Sequence, residues 1–455
     1  MVLSGHKLAH RLRLFALLLL VNTALAQAWS DHATLGWLVL REVPELHSTL
    51  VTPRSLTDFV RENTEALEVA LAEHESIWVR QYPDYPSVPQ ALRFDSESAK
   101  QSPVPTFLGA IRVNPTLGYG LIRRTDFEDL HAPSAMSFTE VSFLSAGDAA
   151  GSIRYASLEE GMLVSAAVVL ASASDEPDEG MDVGLFEDNG TVFGQSYGFG
   201  VQPFGNPNLD YGSQAPFHMG FFHLDSLTKW AQPGLLQTYP HYRVSLYLAL
   251  ARVAFDNDHA YWGWRFLGWA LHYIGDLSQP YHAEPLPGVS TLQAIWLVAQ
   301  NKTDEAVQLV SNRHGVLESY QYHRIQAVRR AGDAAHPLLS ALSSNEGANY
   351  SADWLESAVT ARSVAAAAKL DAELAGTVPN QFVNDPSFEW TGSGFESDIV
   401  SLVEASGGAA AVDRLDQVVS DQLRRFADHL RTWVRVGQSL SDCASMSSSS
   451  CSNSP

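Results

Sequence analysis

Cysteine is nearly absent. Cys443 and Cys451 are the only two in 455 residues, both in a Ser-rich stretch, 441–455, that runs to Pro455 and is expected to form a flexible tail. A thiolate zinc site is thereby excluded, and a disulfide between this pair would close one short terminal loop without organising a fold. Basic residues are scarce as well, with 29 Lys and Arg against 51 Asp and Glu and a formal charge of −22. A surface of that sign repels polyanions, so nucleic acid and anionic membranes are not expected as general partners. There is no internal repeat, and alternating apolar–polar strand patterns are rare. A Gly-x-Ser-x-Gly elbow, the mark of a serine hydrolase, is also missing.

The first 28 residues read as a leader. Lys7, Arg11 and Arg13 precede an apolar run, Leu14 to Val21, and Ala26-Gln27-Ala28 supplies a small-x-small cleavage site. The run falls short of the ~20 residues that a membrane-spanning helix needs. A cleaved secretory signal, 1–28, is the expectation, placing the protein outside the cell or in a periplasm, with no transmembrane segment in the mature chain. Loss of the three basic residues with the leader makes the remainder three charges more negative, at −25.

Apolar residues recur at helical spacing over 32–50, 56–82, 158–173, 241–255, 261–274, 291–300, 303–331, 353–374 and 412–436. Residues 83–133 and 176–214 are rich in Pro, Gly, Asn and Asp and read as loops, with short strands in the first. The fold class expected is mostly α, a multi-helix bundle. A single domain over 29–440 is expected to act as a monomer.

Chemistry concentrates in a few segments. Cleavage after Ala28 would make Trp29 the first residue, and a freed α-amine of pKa near ~8 can give up its proton to a metal ion, with the residue's own carbonyl as a second donor. In His272-Tyr-Ile-Gly-Asp276-Leu-Ser-Gln-Pro280-Tyr-His282, the first His and the Asp are one turn apart on one helix face. Gly275 leaves room there for another backbone to approach. Pro280 ends the helix, so that His282 can turn back toward the same pocket. His314 and Glu318 repeat the four-residue spacing. Imidazole and carboxylate are the usual zinc donors where thiolates are lacking. The acidic loop around Asp175, Asp178 and Asp182 lacks the twelve-residue calcium-loop pattern. His218 and His223 lie among aromatic residues just beyond it.

Taken together, the segments Trp29, His32-Ala-Thr, the Pro177-Asp178 loop, His-Tyr-Ile-Gly-Asp-x-x-Gln-Pro-x-His and His-x-x-x-Glu resemble the bacterial zinc-dependent phospholipases C, which share a trinuclear zinc site with the single-strand-specific zinc nucleases. The likeness covers roughly half the chain. Residues 51–157 and 330–410 have no counterpart in it and are expected to be loop-rich insertions.

The resemblance implies three zinc ions. The amine and carbonyl of Trp29 would hold one with His32. His272, Asp276, Asp178 and His218 would hold a second, with Asp276 bridging to the first, and His282, His314 and Glu318 the third. Asp175 and Asp182 remain alternatives to Asp178, as does His223 to His218. The implied reaction is hydrolysis of the glycerol-side phosphodiester of phosphatidylcholine-type lipids at a membrane surface, releasing diacylglycerol and phosphocholine, with Asp178 orienting or deprotonating the water. A cationic headgroup wants a carboxylate and an aromatic face nearby, and Asp31 is the candidate carboxylate. The alternative is a single-strand nuclease or 3'-nucleotidase with the same metal cage. Those nucleases resemble one another in carrying Asp where this chain has Glu318.

Overall fold

The computed structural model describes residues 31–127, 136–144, 155–300 and 302–445. The leader, Trp29 and most of the Ser-rich stretch lie outside them. Among the described residues helices dominate, with two small two-stranded sheets. We label the elements that matter below α1 (His32–Leu40), α2 (Thr64–Gln81), α3 (Pro103–Ile111), α4 (Ala166–Ala173), α5 (Asp210–His218), α6 (Pro240–Asp256), α7 (Ala260–Leu277), α8 (Pro280–Ala283), α9 (Thr303–Ala331), α10 (Ala361–Thr377), α11 (Ile399–Gly407) and α12 (Ala409–Ser445).

The centre of the molecule is α7. Its sequence, AYWGWRFLGWALHYIGDL, is apolar on nearly every face, and every residue from Tyr261 to Leu277 is buried. A helix hydrophobic all round has to be surrounded. A three-residue link returns the chain from α6 to α7, so the two pack as an antiparallel pair, and α4 and the long amphipathic α12 cover further sides. One contiguous buried cluster runs from Ala33 to Leu440 and takes in both regions that the family likeness leaves unmatched.

Those regions hold the helices expected over 56–82 and 353–374, and further ones in the stretch 83–133 read as loop. Within 83–133, Pro103 starts α3 at a position where a missing N–H costs nothing, and a further short helix covers Ser96–Gln101. Proline density hid both from the periodicity. The pattern over 56–82 splits at Asn63, whose Nδ2 donates to the Phe59 carbonyl at 2.7 Å and interrupts the ladder between Leu56–Glu62 and α2. The pattern over 158–173 is helical only in α4, capped by the Ser165 hydroxyl, which accepts from Val168 N, with a two-residue strand just before it. Residues 32–50 give α1, a short helix Pro44–Ser48 and a strand, β1 (Leu50–Val51). At the other end α12 runs through Ser445, so 441–445 are helical where a tail was expected.

The sheets are small but positional. β1 pairs antiparallel with β4 (Val164–Ser165), and β2 (Ile122–Arg124) with β3 (Tyr155–Ser157). The second pair sets Arg124 beneath the loop that follows α4. There the Arg124 backbone N–H donates to Ser172 Oγ at 2.9 Å.

Candidate metal centre

Three groups of buried metal-capable side chains lie in the interior: His32 with His272 and Asp276, Asp178 with His218 and His272, and His282 with His314 and Glu318. Within each group the donor atoms fall within 4.8 Å of one another. The first two groups share His272. All of the residues belong to the set read from the sequence, and only Trp29 lies outside the described residues.

Local structure explains how they meet. His272 and Asp276 occupy one face of α7, with His272 Nε2 3.3 Å from Asp276 Oδ2. The space on that face comes from Gly275, where a Cβ would stand 2.7 Å from His32 Nδ1; a side chain of α1, not another backbone, uses the gap. The helix ends at Leu277, ahead of the proline. Pro280 instead opens the one-turn helix α8, capped by Gln279, and carries His282 back toward the cluster. His314 and Glu318 lie one turn apart on α9, 2.7 Å from Nε2 to Oε1, and His314 Nε2 is 3.2 Å from His282 Nε2. His218 ends α5, with Nδ1 2.9 Å from Asp276 Oδ2 and 3.0 Å from His272 Nε2.

The far ring nitrogens are equally informative. His272 Nδ1–H donates to the Ser174 carbonyl at 2.9 Å, and His282 Nδ1–H donates to the His218 carbonyl at 2.7 Å. That fixes the tautomer and leaves Nε2 bare toward the group, as for imidazoles that ligate a metal. His218 is turned the other way, Nδ1 inward and Nε2 3.5 Å from Asp182 Oδ2.

The acidic loop after α4 is buried throughout, and each of its carboxylates has its own job. Asp175 is paired with Arg124 and accepts from Ala33 N at 3.1 Å. Glu176 receives Arg265 at 2.9 Å and Trp269 Nε1 at 2.7 Å. Glu179 accepts from Tyr155 Oη at 3.2 Å, and burial pushes its carboxyl up to about 7. Asp182 takes Arg243 on one oxygen and the Tyr273 hydroxyl on the other, both at 2.6 Å. Asp178 differs, because its Oδ1 is buried without a hydrogen-bond donor and lies 3.6 Å from His272 Nε2 and 3.8 Å from His218 Nδ1. Of the three aspartates left open by the sequence, the fold therefore turns Asp178 to the histidines and engages Asp175 and Asp182 with arginines. His223 is drawn away to Glu356 O and Thr360 Oγ1, both at 3.0 Å, and His218 takes the inward position.

Electrostatics agree with a site built for cations. Burial alone would raise Asp276, yet the His272 and His218 imidazoles hold it well below the usual carboxylate range. Against its own burial His218 is pushed up to about 10 by Asp276, Asp182 and Asp178. Burial drives His282 and His314 down to about 3, so both are neutral imidazoles at neutral pH, the form a metal needs. Both oxygens of Asp276 are buried and face imidazole nitrogens, Oδ1 3.3 Å from His32 Nε2 and Oδ2 2.9 Å from His218 Nδ1. A bound cation there would take over the charge compensation that the protonated His218 gives Asp276 in the metal-free protein. Nitrogen and carboxylate donors without thiolates suit zinc among the common ions. These residues fit such ions by both donor type and burial.

Sequence reasoning missed Arg124. It lies in a stretch read as loop, with no motif around it, yet it is buried against Asp31, Asp126 and Asp175. Asp31, the candidate for a cationic headgroup, spends its carboxylate on Arg124 Nη2 at 3.1 Å and on capping Thr34 N at 3.0 Å. Both contacts fall on Oδ1, and the other oxygen has Gln326 Nε2 at 3.5 Å. No family model, curated protein or solved structure matches the chain, so the family likeness stands on the motif residues alone.

Proposed function

We propose that the protein is an exported zinc-dependent phosphodiesterase of the phospholipase C type. The observation that carries this reading is that eight residues from separate stretches of the chain meet in three buried groups, two of them overlapping at His272, with Asp276 within reach of His32, His218 and His272. His32 and Asp276 would hold one ion together with the Trp29 terminus. Asp178, His218, His272 and Asp276 would hold the second, and His282, His314 and Glu318 the third. Bound zinc would offset phosphodiester charge and make hydroxide available near neutral pH.

The chain's own residues supply the rest. Asp178 presents a carboxylate oxygen free of hydrogen-bond donors, able to orient a water and accept its proton. Arg243 and Tyr273 hold Asp182 against His218, keeping that imidazole turned inward. Water adds to phosphorus, the bond to the glycerol oxygen breaks and the alcohol takes up a proton, giving diacylglycerol and phosphocholine from phosphatidylcholine. Among the described residues no helix is long and apolar enough to cross a membrane, so lipid would be met at its surface.

The test is phosphocholine release from phosphatidylcholine vesicles by the chain starting at Trp29, untreated, chelated and zinc-restored. Release should vanish with chelator and return with zinc, and His272→Ala and Asp276→Asn should abolish it while lowering bound zinc. Cutting of single-stranded DNA without lipid turnover would replace this reading with the nuclease one.

A further inference from the structure

His282 and His314 are 32 residues apart in the chain, yet their Nε2 atoms stand 3.2 Å from each other. The residue before each of them explains how. Tyr281 donates from its hydroxyl to Asp371 Oδ1 at 2.9 Å, and Arg313 donates from Nη1 to Asp371 Oδ2 at 2.6 Å. One buried carboxylate on α10 thus joins α8 to α9. Tyr281 also lays its ring beside that of His314, with centroids 5.4 Å apart and planes 30° from parallel.

The hold on α9 extends to both sides of Arg313. Asn312 donates to the Phe388 carbonyl at 2.8 Å and accepts from Trp390 N at 3.0 Å. Arg313 gives Nε to the Val383 carbonyl and Nη2 to Asn384 Oδ1, both at 2.9 Å, so with Asp371 every guanidinium nitrogen is engaged. At Gly315 a Cβ would stand 2.7 Å from Trp390 Cδ1. His314, between these residues, faces His282 and Glu318 instead. All of the partners fall within 371–390, inside the stretch that has no counterpart in the family likeness, and none belongs to a buried donor group.

We propose that Asp371 is a positioning residue for the metal position of His282, His314 and Glu318. By joining the residue before each imidazole, it fixes the separation of two ligands drawn from different helices. An aspartate suits the task because its two oxygens can each accept from a different partner. Ordering the imidazoles in advance removes an entropy cost that metal binding would otherwise bear. The proposal rests on the reading above, in which this group holds an ion. It gives residues 371–390 a purpose, since supports behind a ligand typically set metal affinity by about 10–100-fold.

The experiment is zinc titration of the metal-free chain starting at Trp29 against a competing chelator, with bound zinc counted and the melting temperature of the metal-free form recorded. Wild type should take up three ions. Asp371→Asn keeps the size of the side chain but has one acceptor fewer for the bridge, and should weaken one ion about 10–100-fold while the other two keep their affinities. Tyr281→Phe, which removes only the hydroxyl, should weaken the same ion. Asp371→Glu retains both oxygens and should lie closer to wild type than Asp371→Asn does. A His314→Ala background identifies the position: that chain should bind two ions, and Asp371→Asn should change neither. A loss confined to one ion, with the metal-free melting temperature little changed, separates positioning from a general loosening of the fold.

Wild-type affinity for all three ions in Asp371→Asn and Tyr281→Phe would overturn the proposal. So would equal weakening of all three, a further loss in the His314→Ala background, or Asp371→Glu falling below Asp371→Asn. Three ions retained by His314→Ala alone would overturn the metal reading of this group and the proposal with it, a result that shows without any change at Asp371.

Discussion

Gly275→Ala puts the construction of the metal centre under direct strain. An added Cβ would stand 2.7 Å from His32 Nδ1, 2.9 Å from its Cε1 and 3.2 Å from Phe426 Cε2. Ordinary contact is ~3.4 Å or more, so His32 must retreat by roughly 0.7 Å or α7 must shift away from α1. Two opposing terms act on stability. Alanine gains ~0.8–1 kcal/mol over glycine inside a helix, while overpacking a dense core costs ~1–3 kcal/mol. The net change is a destabilisation of at most about 2 kcal/mol, which a protein of this size survives. The effect on the site is larger, because a displacement approaching 1 Å in catalytic geometry can cost ~10²-fold in rate. The assay pairs phosphodiesterase rate with zinc per chain and the melting temperature of the metal-free protein. The expected result is a rate down about 100-fold, one zinc weakened and a melting temperature within a few degrees of wild type. A variant with full zinc and a wild-type rate would refute the claim that the Gly275 gap exists to seat His32.

Three further outcomes follow from other parts of the molecule. His429 is buried with neither ring nitrogen hydrogen-bonded, and burial, aided by Arg362 and Arg425, lowers it to about 3. Its folded pKa lies below the unfolded value of 6.5, so its contribution is intact above that pH and is lost as pH falls from 6.5 toward 3, at about 1.4 kcal/mol per pH unit. Urea melts of the chelated protein should show His429→Leu losing stability less steeply than wild type between pH 6.5 and 4.5, and parallel curves would contradict this. Zinc binding should release protons at pH 7, since His218 is pushed up to about 10 in the metal-free form and must give up its proton to ligate. Calorimetry in buffers of different ionisation enthalpy checks that, and buffer-independent heats would count against His218 as a ligand. Finally, a Cβ at Gly376 in α10 would meet nothing within 4 Å, so Gly376→Ala should stabilise by about 0.5–1 kcal/mol without changing activity. A fall in melting temperature would contradict it.

How far the sequence could be read depended on the range of the interaction. His272 with Asp276, and His314 with Glu318, are one-turn pairs, and helical spacing alone places each pair on one face. The long periodic segments behind α6, α7 and α9 are visible for the same reason. Separating Asp178 from Asp175 and Asp182 was beyond local pattern, because the distinction lies in partners far along the chain: Arg124 for one, Arg243 and Tyr273 for another. His218 and His223 are equally alike in sequence. Only the docking of His223 on the segment before α10 sets them apart. The helices of residues 83–133 were obscured by prolines that begin helices as readily as they end them. Arg124 is held by Asp126 two residues on and by Asp31 and Asp175 from two other segments, and its role could not be read from its neighbours alone.

The central claim is that these eight side chains, with the chain terminus at Trp29, form one cluster of three metal positions. Anomalous diffraction at the zinc edge from crystals of the mature, zinc-loaded protein tests it most directly. The account predicts three peaks, one at each of the groups around His32, His218 and His282. Zinc found only at surface carboxylates, with the buried groups closed on themselves, would contradict it.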